Sequence, residues 1–234
     1  MLVPLLLALA AATPNAAEPA LSGPAAGSRV VEEVVAVVRN PLGSPARIIT
    51  LTRLVEEARI VLASKGAVEA AARPIDSQLL RATLEWVLDQ TLLSDDAGRL
   101  QVAEVTGDQV AAELGRFRGR FPDAAAYARF LASAELSDEE VSAVLARTLR
   151  VDRYLETRVG RGGAVADDDV RQYAGERGLS VESRAALEAV RARMTEARVG
   201  SAVRDLVAEL RGRADIRILD PALAGPAAKR EEVP

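Results

Sequence analysis

The segment ELRGRADIRILDP, Glu209 to Pro221, changes its hydrophobic period in the middle. Up to Arg211 the apolar residues recur every three or four positions, which is typical of a helix. After it, Ile216 and Ile218 alternate with a charged residue, which is the two-residue period of a strand. A lone strand leaves its backbone N–H and C=O groups unpaired. The segment therefore predicts that this last strand pairs with a strand from elsewhere in the chain.

A candidate partner lies near the other end of the chain. The stretch RVVEEVVAVVR, Arg29 to Arg39, is dense in β-branched residues and is followed by NPLGSP, Asn40 to Pro45, which has the composition of a turn. ARIIT, Ala46 to Thr50, then predicts a second strand. Two strands alone are marginally stable, so we expect this hairpin to take the last strand, residues 215–219, as its third member.

The residues between these strands have helical patterns with recognisable ends. The longest predicted helix carries one apolar stripe, formed by Leu79, Leu80, Thr83, Trp86, Val87, Gln90 and Leu93. Thr52 is predicted to cap the first helix and Gly66 to close it, and Asp76, after Pro74, is predicted to open the longest helix. Capping boxes at Thr106–Gln109 and Ser137–Glu140 and acids at Asp167–Asp169 mark the starts of three more helices. A short helix is predicted over Pro122–Ala134, and a last helix from Ser180 to about Gly212. The fold class expected is mainly α, with a small antiparallel sheet made by an N-terminal hairpin and the C-terminal strand.

The composition excludes several classes of function. The 234 residues are 49% hydrophobic but only 3% aromatic, which favours a soluble protein with a core of closely packed helices bearing small side chains. A net charge of −4 provides no basic footprint for nucleic acid. The chain contains no His and no Cys, so it lacks the commonest general base, metal ligand and thiol nucleophile. An enzyme would need a site built from carboxylates alone, and we expect no enzymatic activity, no cofactor and no metal.

The N-terminus has the pattern of a cleaved export signal. An apolar run from Leu2 to Ala12 is too short to span a bilayer, which needs about 20 residues, but has the length of a signal-peptide core. Cleavage after Ala12 and cleavage after Ala17 both remain open. We assign residues 1–17 to the signal, 18–28 to a flexible leader rich in Pro, Gly and Ala, and 221–234 to a disordered tail. A periplasmic location follows from this interpretation.

The order of these elements resembles the SurA-like periplasmic chaperones. RVVEEVVAVV and ITLTRLVEEAR are similar to that family's opening hairpin and first helix, and LLRATLEWVLDQTLL is similar to its long second helix. RFPDAAAYARFLASAELSDEEVSAVLARTLRVDRYLETRV is similar to the family's next pair of helices. VADDDVRQYAGERG is similar to the short helix that precedes the family's isomerase domain. The C-terminal helix and strand are matched by SVESRAALEAVRARM and VRDLVAELRGRADIRILD.

The resemblance covers roughly residues 29–220, as one chaperone core made of 29–178 and 180–220. It implies that the last strand pairs with the N-terminal hairpin, as the residues themselves suggest. The departure is at ERGLS, Glu176 to Ser180, where a parvulin isomerase domain of about 100 residues would have to fit. The isomerase domain is therefore absent, and no catalytic residue is carried over from the family.

Several motifs admit both a functional and a structural interpretation. Phe117, Phe121, Tyr127 and Phe130 are candidates for lining an apolar crevice that binds extended peptides, although aromatic residues at helical spacing usually form a core. Asp167–Asp169 allow a metal site but are more typical of a helix N-terminus. GRGG, Gly160 to Gly163, lacks the residues of a phosphate loop and is more typical of a hinge.

The resemblance and the signal together lead to two functional hypotheses. The first is an exported, ATP-independent holdase that binds unfolded envelope and outer-membrane proteins through an apolar groove between helices, without isomerase activity. The alternative is a dedicated module that binds one secreted protein or one envelope complex. Both take polypeptide partners and no nucleic acid. Both are compatible with peripheral association with the envelope and with homodimerisation, including exchange of the chain ends.

Overall fold

The computed structural model describes residues 32–40, 45–102, 104–160, 165–180 and 183–224. Within these residues the fold is mainly helical with one small antiparallel sheet, as the sequence predicts. The elements, in order, are β1 (Val34–Arg39), β2 (Arg47–Thr50), α1 (Leu51–Ser64), α2 (Val68–Ala71), α3 (Ser77–Arg99), α4 (Gly107–Arg118), α5 (Ala124–Ala134), α6 (Asp138–Val159), α7 (Asp167–Glu176), α8 (Arg184–Arg213) and β3 (Asp215–Ile218). The predicted signal and leader, residues 41–44 of the hairpin turn, and residues 161–163 of GRGG lie outside the described residues.

The two distant strands pair as the sequence predicts. The sheet has the order β2-β1-β3, with β1 antiparallel to both neighbours. Val37 is opposite Ile48 on one side and opposite Arg217 on the other. The ladder continues past the last assigned residue of β3, because the Leu219 N–H donates to the Val35 carbonyl at 2.8 Å. The last strand therefore pairs along its length with β1, the central strand of the sheet.

A β-bulge explains why β1 does not follow a simple alternation. The register of β1 against β2 shifts between Val34 and Ala36, so one extra residue of β1 is accommodated there. Both Val35 and Ala36 are consequently buried, at 0% exposure, while Val34 and Val37 lie on the opposite face. The bulge fixes which apolar residues of β1 enter the core and which stay at the surface.

The described residues group into two compact units. The sheet unit comprises residues 32–88, 117–138 and 215–224, and the helical unit comprises residues 89–116 and 139–214. The chain passes from one unit to the other within α3, within α4, at the start of α6 and at the end of α8. Neither unit is a continuous stretch of sequence, so no linker marks their boundary.

The helix ends follow local capping chemistry, with two corrections to the sequence prediction. The cap of α1 is Thr50, whose hydroxyl accepts from the Arg53 N–H, and not Thr52, which lies inside the helix. Gly66 follows α1 with φ of +83°, a conformation that favours glycine. The last helix begins at Arg184 with Ser183 as its cap, later than predicted.

The long helix α3 is buried on more than one side. The predicted stripe is mostly buried, but Leu84, Leu88 and Leu92 on other sides of the helix are also at 1% exposure or less. The single-stripe prediction is therefore incomplete. A helix that is apolar around most of its circumference is typically central rather than peripheral. Polar side chains, including Gln90 and Asp96, are buried along it as well.

The C-terminal tail begins later than predicted. Pro221–Ala224 form a turn in which Leu223 is 2% exposed. The Asp220 carboxylate accepts from the Ala222 N–H at 2.8 Å, and the Arg81 guanidinium donates to the Ala222 carbonyl at 2.8 Å. These contacts extend the ordered part of the sheet unit beyond β3. Residues 225–234 lie outside the described part of the chain.

The pairing of β1 with β3 can be tested with a disulfide. Val38 and Ile216 form a non-hydrogen-bonded pair, whose side chains are close enough for a disulfide. Because the chain has no cysteine, the Val38→Cys/Ile216→Cys variant has a single bridge to form. We expect an intramolecular disulfide that raises the free energy of unfolding by about 2–4 kcal/mol, measured in urea with and without reductant.

A register control uses the same strands. In Val38→Cys/Ile218→Cys the two positions are diagonal neighbours about 7–8 Å apart, too far for an unstrained bridge, so this variant should remain reduced. Equal oxidation of the two variants, or a bridge between two chains in the first, would contradict the observed register.

The left-handed residue at the end of α5 offers a second test. Glu135 has φ of 55° and ψ of 35°, where a Cβ is strained. We predict that Glu135→Gly raises the free energy of unfolding by about 0.5–1 kcal/mol, measured by urea denaturation. Ala128→Gly, at an exposed position inside the same helix, is the matched control and should lower it by a similar amount. Destabilisation by both substitutions would contradict the assigned helix end.

Candidate functional site

The four aromatic residues proposed as peptide-binding candidates form a buried cluster in the sheet unit. Phe117, Phe121, Tyr127 and Phe130 are 2%, 6%, 8% and 4% exposed. The Phe121 ring lies 5.2 Å from Tyr127 and 5.1 Å from Phe130, between ring centroids, in edge-on or tilted arrangements that aromatic pairs prefer. These rings act as core side chains, and in this conformation they present no open surface to a peptide.

Polar contacts at the edge of this cluster hold three helix ends together. The Tyr127 hydroxyl donates to one oxygen of the Asp138 carboxylate, and the Arg118 guanidinium donates to the other at 2.5 Å. Burial, followed by this hydrogen bond, raises the pKa of Tyr127 to about 12. The hydrogen bond from Tyr127, assisted by Arg118, lowers the pKa of Asp138. Such a phenol remains a hydrogen-bond donor at neutral pH, so the arrangement joins α4, α5 and α6 and supplies no nucleophile.

A second carboxylate–phenol pair lies in the helical unit. The Tyr154 hydroxyl donates to the Asp96 carboxylate at 2.5 Å, and Arg99 donates to the other carboxylate oxygen at 2.7 Å. Burial is the largest influence and raises the pKa of Asp96, but hydrogen bonds from Tyr154 and Arg99, with the charges of Arg99 and Arg158, outweigh it and the pKa is lowered. A buried acid kept ionised by fixed donors is suited to joining α3 to α6, and poorly suited to proton transfer.

The acids of α7 serve the packing of α7 on α8. Asp167, Asp168 and Asp169 occupy the first turn of α7, where the helix dipole favours negative charge, but the cap residue is Ala166. Asp167 pairs with Arg191 and Asp169 with Arg198 at 2.9 Å, both on α8. Beneath them Val170, Ala174, Val190 and Met194 form an apolar cluster. Asp167 and Asp169 therefore stabilise the pairing of α7 with α8, while Asp168 pairs with Arg171 of α7 itself at 3.0 Å.

One further carboxylate has a perturbed pKa. Withdrawal from water is the larger influence, and the neighbouring carboxylates of Glu156 and Glu113 add to it, so the pKa of Asp152 rises to about 6. Glu156 and Glu113 carry the same charge as the ionised Asp152, so neither stabilises its ionised form. Among the described residues, no group of three or more acidic side chains is arranged to hold a metal ion.

Three of the four large apolar side chains that are exposed among the described residues lie on the sheet. Ile48 is 63% exposed, Leu219 is 51% exposed and Val34 is 36% exposed. Ile48 is opposite Val37, which is half-buried. The β-bulge places Val34 on the same side, and the alternation along β3 places Leu219 there as well. We call these four residues the sheet face. The other side of the sheet, with Ala36, Val38 and Ile49, is buried.

Charged residues border the sheet face. Arg39 and Arg217 are largely exposed and both approach Asp215, at 3.9 Å and 3.2 Å. At the other end the Thr50 hydroxyl donates to Glu32 at 2.7 Å. An apolar centre with a charged border is typical of a surface that binds another polypeptide. The alternation in RIIT and DIRIL is the sequence signal for this surface, which the aromatic candidates do not include.

The described part of the chain contains no helix that is long and apolar enough to cross a membrane. No family model, no curated protein and no solved structure matches the chain.

The pair Tyr154–Asp96 predicts a pH-dependent loss of stability. Because the pKa of Asp96 is lowered, its contribution is fully present above the unfolded value of about 4 and is lost as the pH falls through the folded-state value. We expect Tyr154→Phe to lower the free energy of unfolding by about 1.5–3 kcal/mol at pH 7, and by less at pH 3. Urea unfolding followed by circular dichroism at several pH values measures this difference.

Tyr173→Phe is the matched control, since Tyr173 is only partly buried and lies under the Arg177 guanidinium. Its effect should be small and nearly constant with pH. A Tyr154→Phe deficit that is equally large at pH 7 and pH 3 would show that lost packing, and not the charged hydrogen bond, accounts for it.

Proposed function

We propose that this protein is an exported, ATP-independent holdase that binds unfolded or extended polypeptides of the cell envelope, without isomerase activity. The sheet face is the observation that carries the proposal. Further support comes from the order of the elements, which resembles the SurA-like chaperones, and from the N-terminal sequence typical of an export signal. On this proposal the protein is periplasmic and its partners are outer-membrane proteins before they fold.

The sheet face suits weak and reversible binding. Burying an exposed Leu or Ile side chain contributes about 1.5–3 kcal/mol, before the cost of ordering a flexible client is subtracted. Because the cost of ordering the client offsets much of this gain, two to four such side chains give weak binding, from which a client can be released without ATP. No catalytic group is needed for this activity. The proposed binding surface thus differs from the groove between helices that the sequence suggested.

The structural role of the sheet explains why its exposed face can be apolar. Its buried face, including Ala36 and Val38, contributes to the core of the sheet unit, so the strands must be β-branched and apolar for packing. The outward positions carry no such requirement. Ile48 and Leu219 are nevertheless apolar there, where a strand exposed to solvent ordinarily alternates with polar residues. Their exposure is consistent with selection for binding.

We predict that residues 18–234 suppress the aggregation of a chemically unfolded outer-membrane protein, measured by light scattering, and do not bind the folded protein. Replacing two residues of the sheet face in Ile48→Ser/Leu219→Ser should raise the concentration needed for half suppression at least tenfold, since each substitution removes apolar contact of about 1.5–3 kcal/mol on full burial. Circular dichroism shows whether the variant keeps its fold.

Leu100→Ser is the matched control. Leu100 is 41% exposed, but it belongs to the helical unit and to no strand of the sheet. It should leave suppression unchanged. No preference for the unfolded client, or equal loss in both variants, would contradict binding at the sheet face. Recovery of one stoichiometric envelope protein, in place of many clients, would favour the dedicated-module alternative.

A further inference from the structure

The outer edge of β3 presents unpaired backbone groups. The Leu219 N–H bonds to the Val35 carbonyl, and backbone direction alternates along a strand, so Arg217 turns its N–H and C=O toward β1. Ile216 and Ile218 turn theirs away from β1. Among the described residues, no hydrogen bond to the backbone of Ile216 or Ile218 from another element is found, and both side chains are partly exposed.

This edge lacks several of the features that prevent strands from pairing between molecules. Natural edge strands are protected by short length, by charged side chains, by proline, by a bulge or by an inward-pointing charge. In β3 the inward residues are Ile216 and Ile218, the bulge lies on the β2 side of β1, and the first proline is Pro221. The strand is short and carries Asp215 and Arg217, but these two charges are of opposite sign and the strand is regular.

The charges along β3 are self-complementary. Asp215 and Arg217 flank Ile216 on the exposed face of the sheet, with opposite charges. In an antiparallel pair of two identical strands centred on Ile216, each Asp215 is opposite Arg217 of the partner subunit. The two-fold symmetry forms this charge pair twice, and Ile216 exchanges two backbone hydrogen bonds with Ile216 of the partner subunit.

The competing register is disfavoured by the same charges. Pairing centred on Arg217 would also allow backbone hydrogen bonds. Ile216 would then lie opposite Ile218 of the partner subunit, and both residues point their N–H and C=O groups away from β1. It would, however, place Arg217 directly opposite Arg217 of the partner subunit, and like charges in that position are destabilising. Of these two registers, the charge pattern favours the one centred on Ile216, which is the one that pairs opposite charges twice.

We propose that two copies of this chain associate through the outer edge of β3, in antiparallel register about Ile216, to form one continuous six-stranded sheet. The second copy is the occupant because the charge order of the edge complements itself. The pairing leaves the sheet face of both copies exposed on the same side of the joined sheet. It stands independently of the proposed function, since it needs only the edge of β3 and no client.

The test is the oligomeric state of residues 18–234 by sedimentation equilibrium, from about 1 to 200 µM. Because β3 has only four residues, we expect weak dimerisation, with a dissociation constant of about the micromolar range. Arg217→Asp places Asp opposite Asp twice, and Asp215→Arg places Arg opposite Arg twice. Each variant alone should raise the dissociation constant at least tenfold. Arg47→Asp, with the same charge change on the opposite edge of the sheet, is the control and should dimerise like the parent protein.

Mixing the two variants provides the decisive measurement. In a heterodimer of Arg217→Asp with Asp215→Arg, both cross-strand pairs are again of opposite charge. An equimolar mixture should therefore dimerise about as tightly as the parent protein, although neither variant does so alone. A parent that is monomeric at 200 µM, a dimer indifferent to both substitutions, or a mixture that stays monomeric would each overturn the proposal. Indifference to both would point instead to exchange of chain ends or to another surface.

Discussion

The antiparallel pairing of β1 with β3 is the contact on which the rest of this fold depends. The hairpin of β1 and β2 is too small to be stable alone, and β3 follows a helix of thirty residues near the end of the described residues. The pairing of the three strands buries Val35, Ala36 and Val38 at 1% exposure or less. It also fixes where α1 begins relative to the sheet, because its cap residue Thr50 is the last residue of β2. Every element between the strands is enclosed in one loop of chain that this contact closes, at an entropic cost that grows only slowly with loop length.

The sequence predicts those parts of the fold that are set by local chemistry. The hydrophobic periodicity predicted β3 and α8. Gly66 and Asp76 predicted helix ends, because a capping or left-handed residue bonds to backbone groups only three or four positions away. The partner of β3 could also be deduced, since only one other region of the sequence had strand character. The error at α1 has a similar local origin. Thr50 and Thr52 are both acceptable caps, and the sheet register, which places Thr50 at the end of β2, decides between them.

Other features depend on tertiary contacts and leave little trace in the sequence. The burial of Leu84, Leu88 and Leu92 on several sides of α3 depends on what surrounds the helix, which periodicity alone does not specify. The two units are built from separate segments, with changes of unit inside α3 and α4, so a search for linkers finds nothing. The bulge at Val35 changes which side of the sheet the first residues of β1 face, compared with simple alternation. Nothing in VVEEVVAVV identifies the position of the bulge.

The candidate site shows the same distinction between composition and context. The aromatic pattern allowed either an apolar crevice or a core, and burial of Phe117, Phe121, Tyr127 and Phe130 at 8% exposure or less agrees with the core. The exposed Ile48 and Leu219 are ordinary residues whose position alone is informative. Once the register is known, each strand residue belongs either to the buried face, where substitution affects stability, or to the exposed face and free edge, where it affects association. A small sheet that closes the chain can therefore carry a binding function on one face without weakening the other, because the pleat separates the two roles by a single residue along each strand.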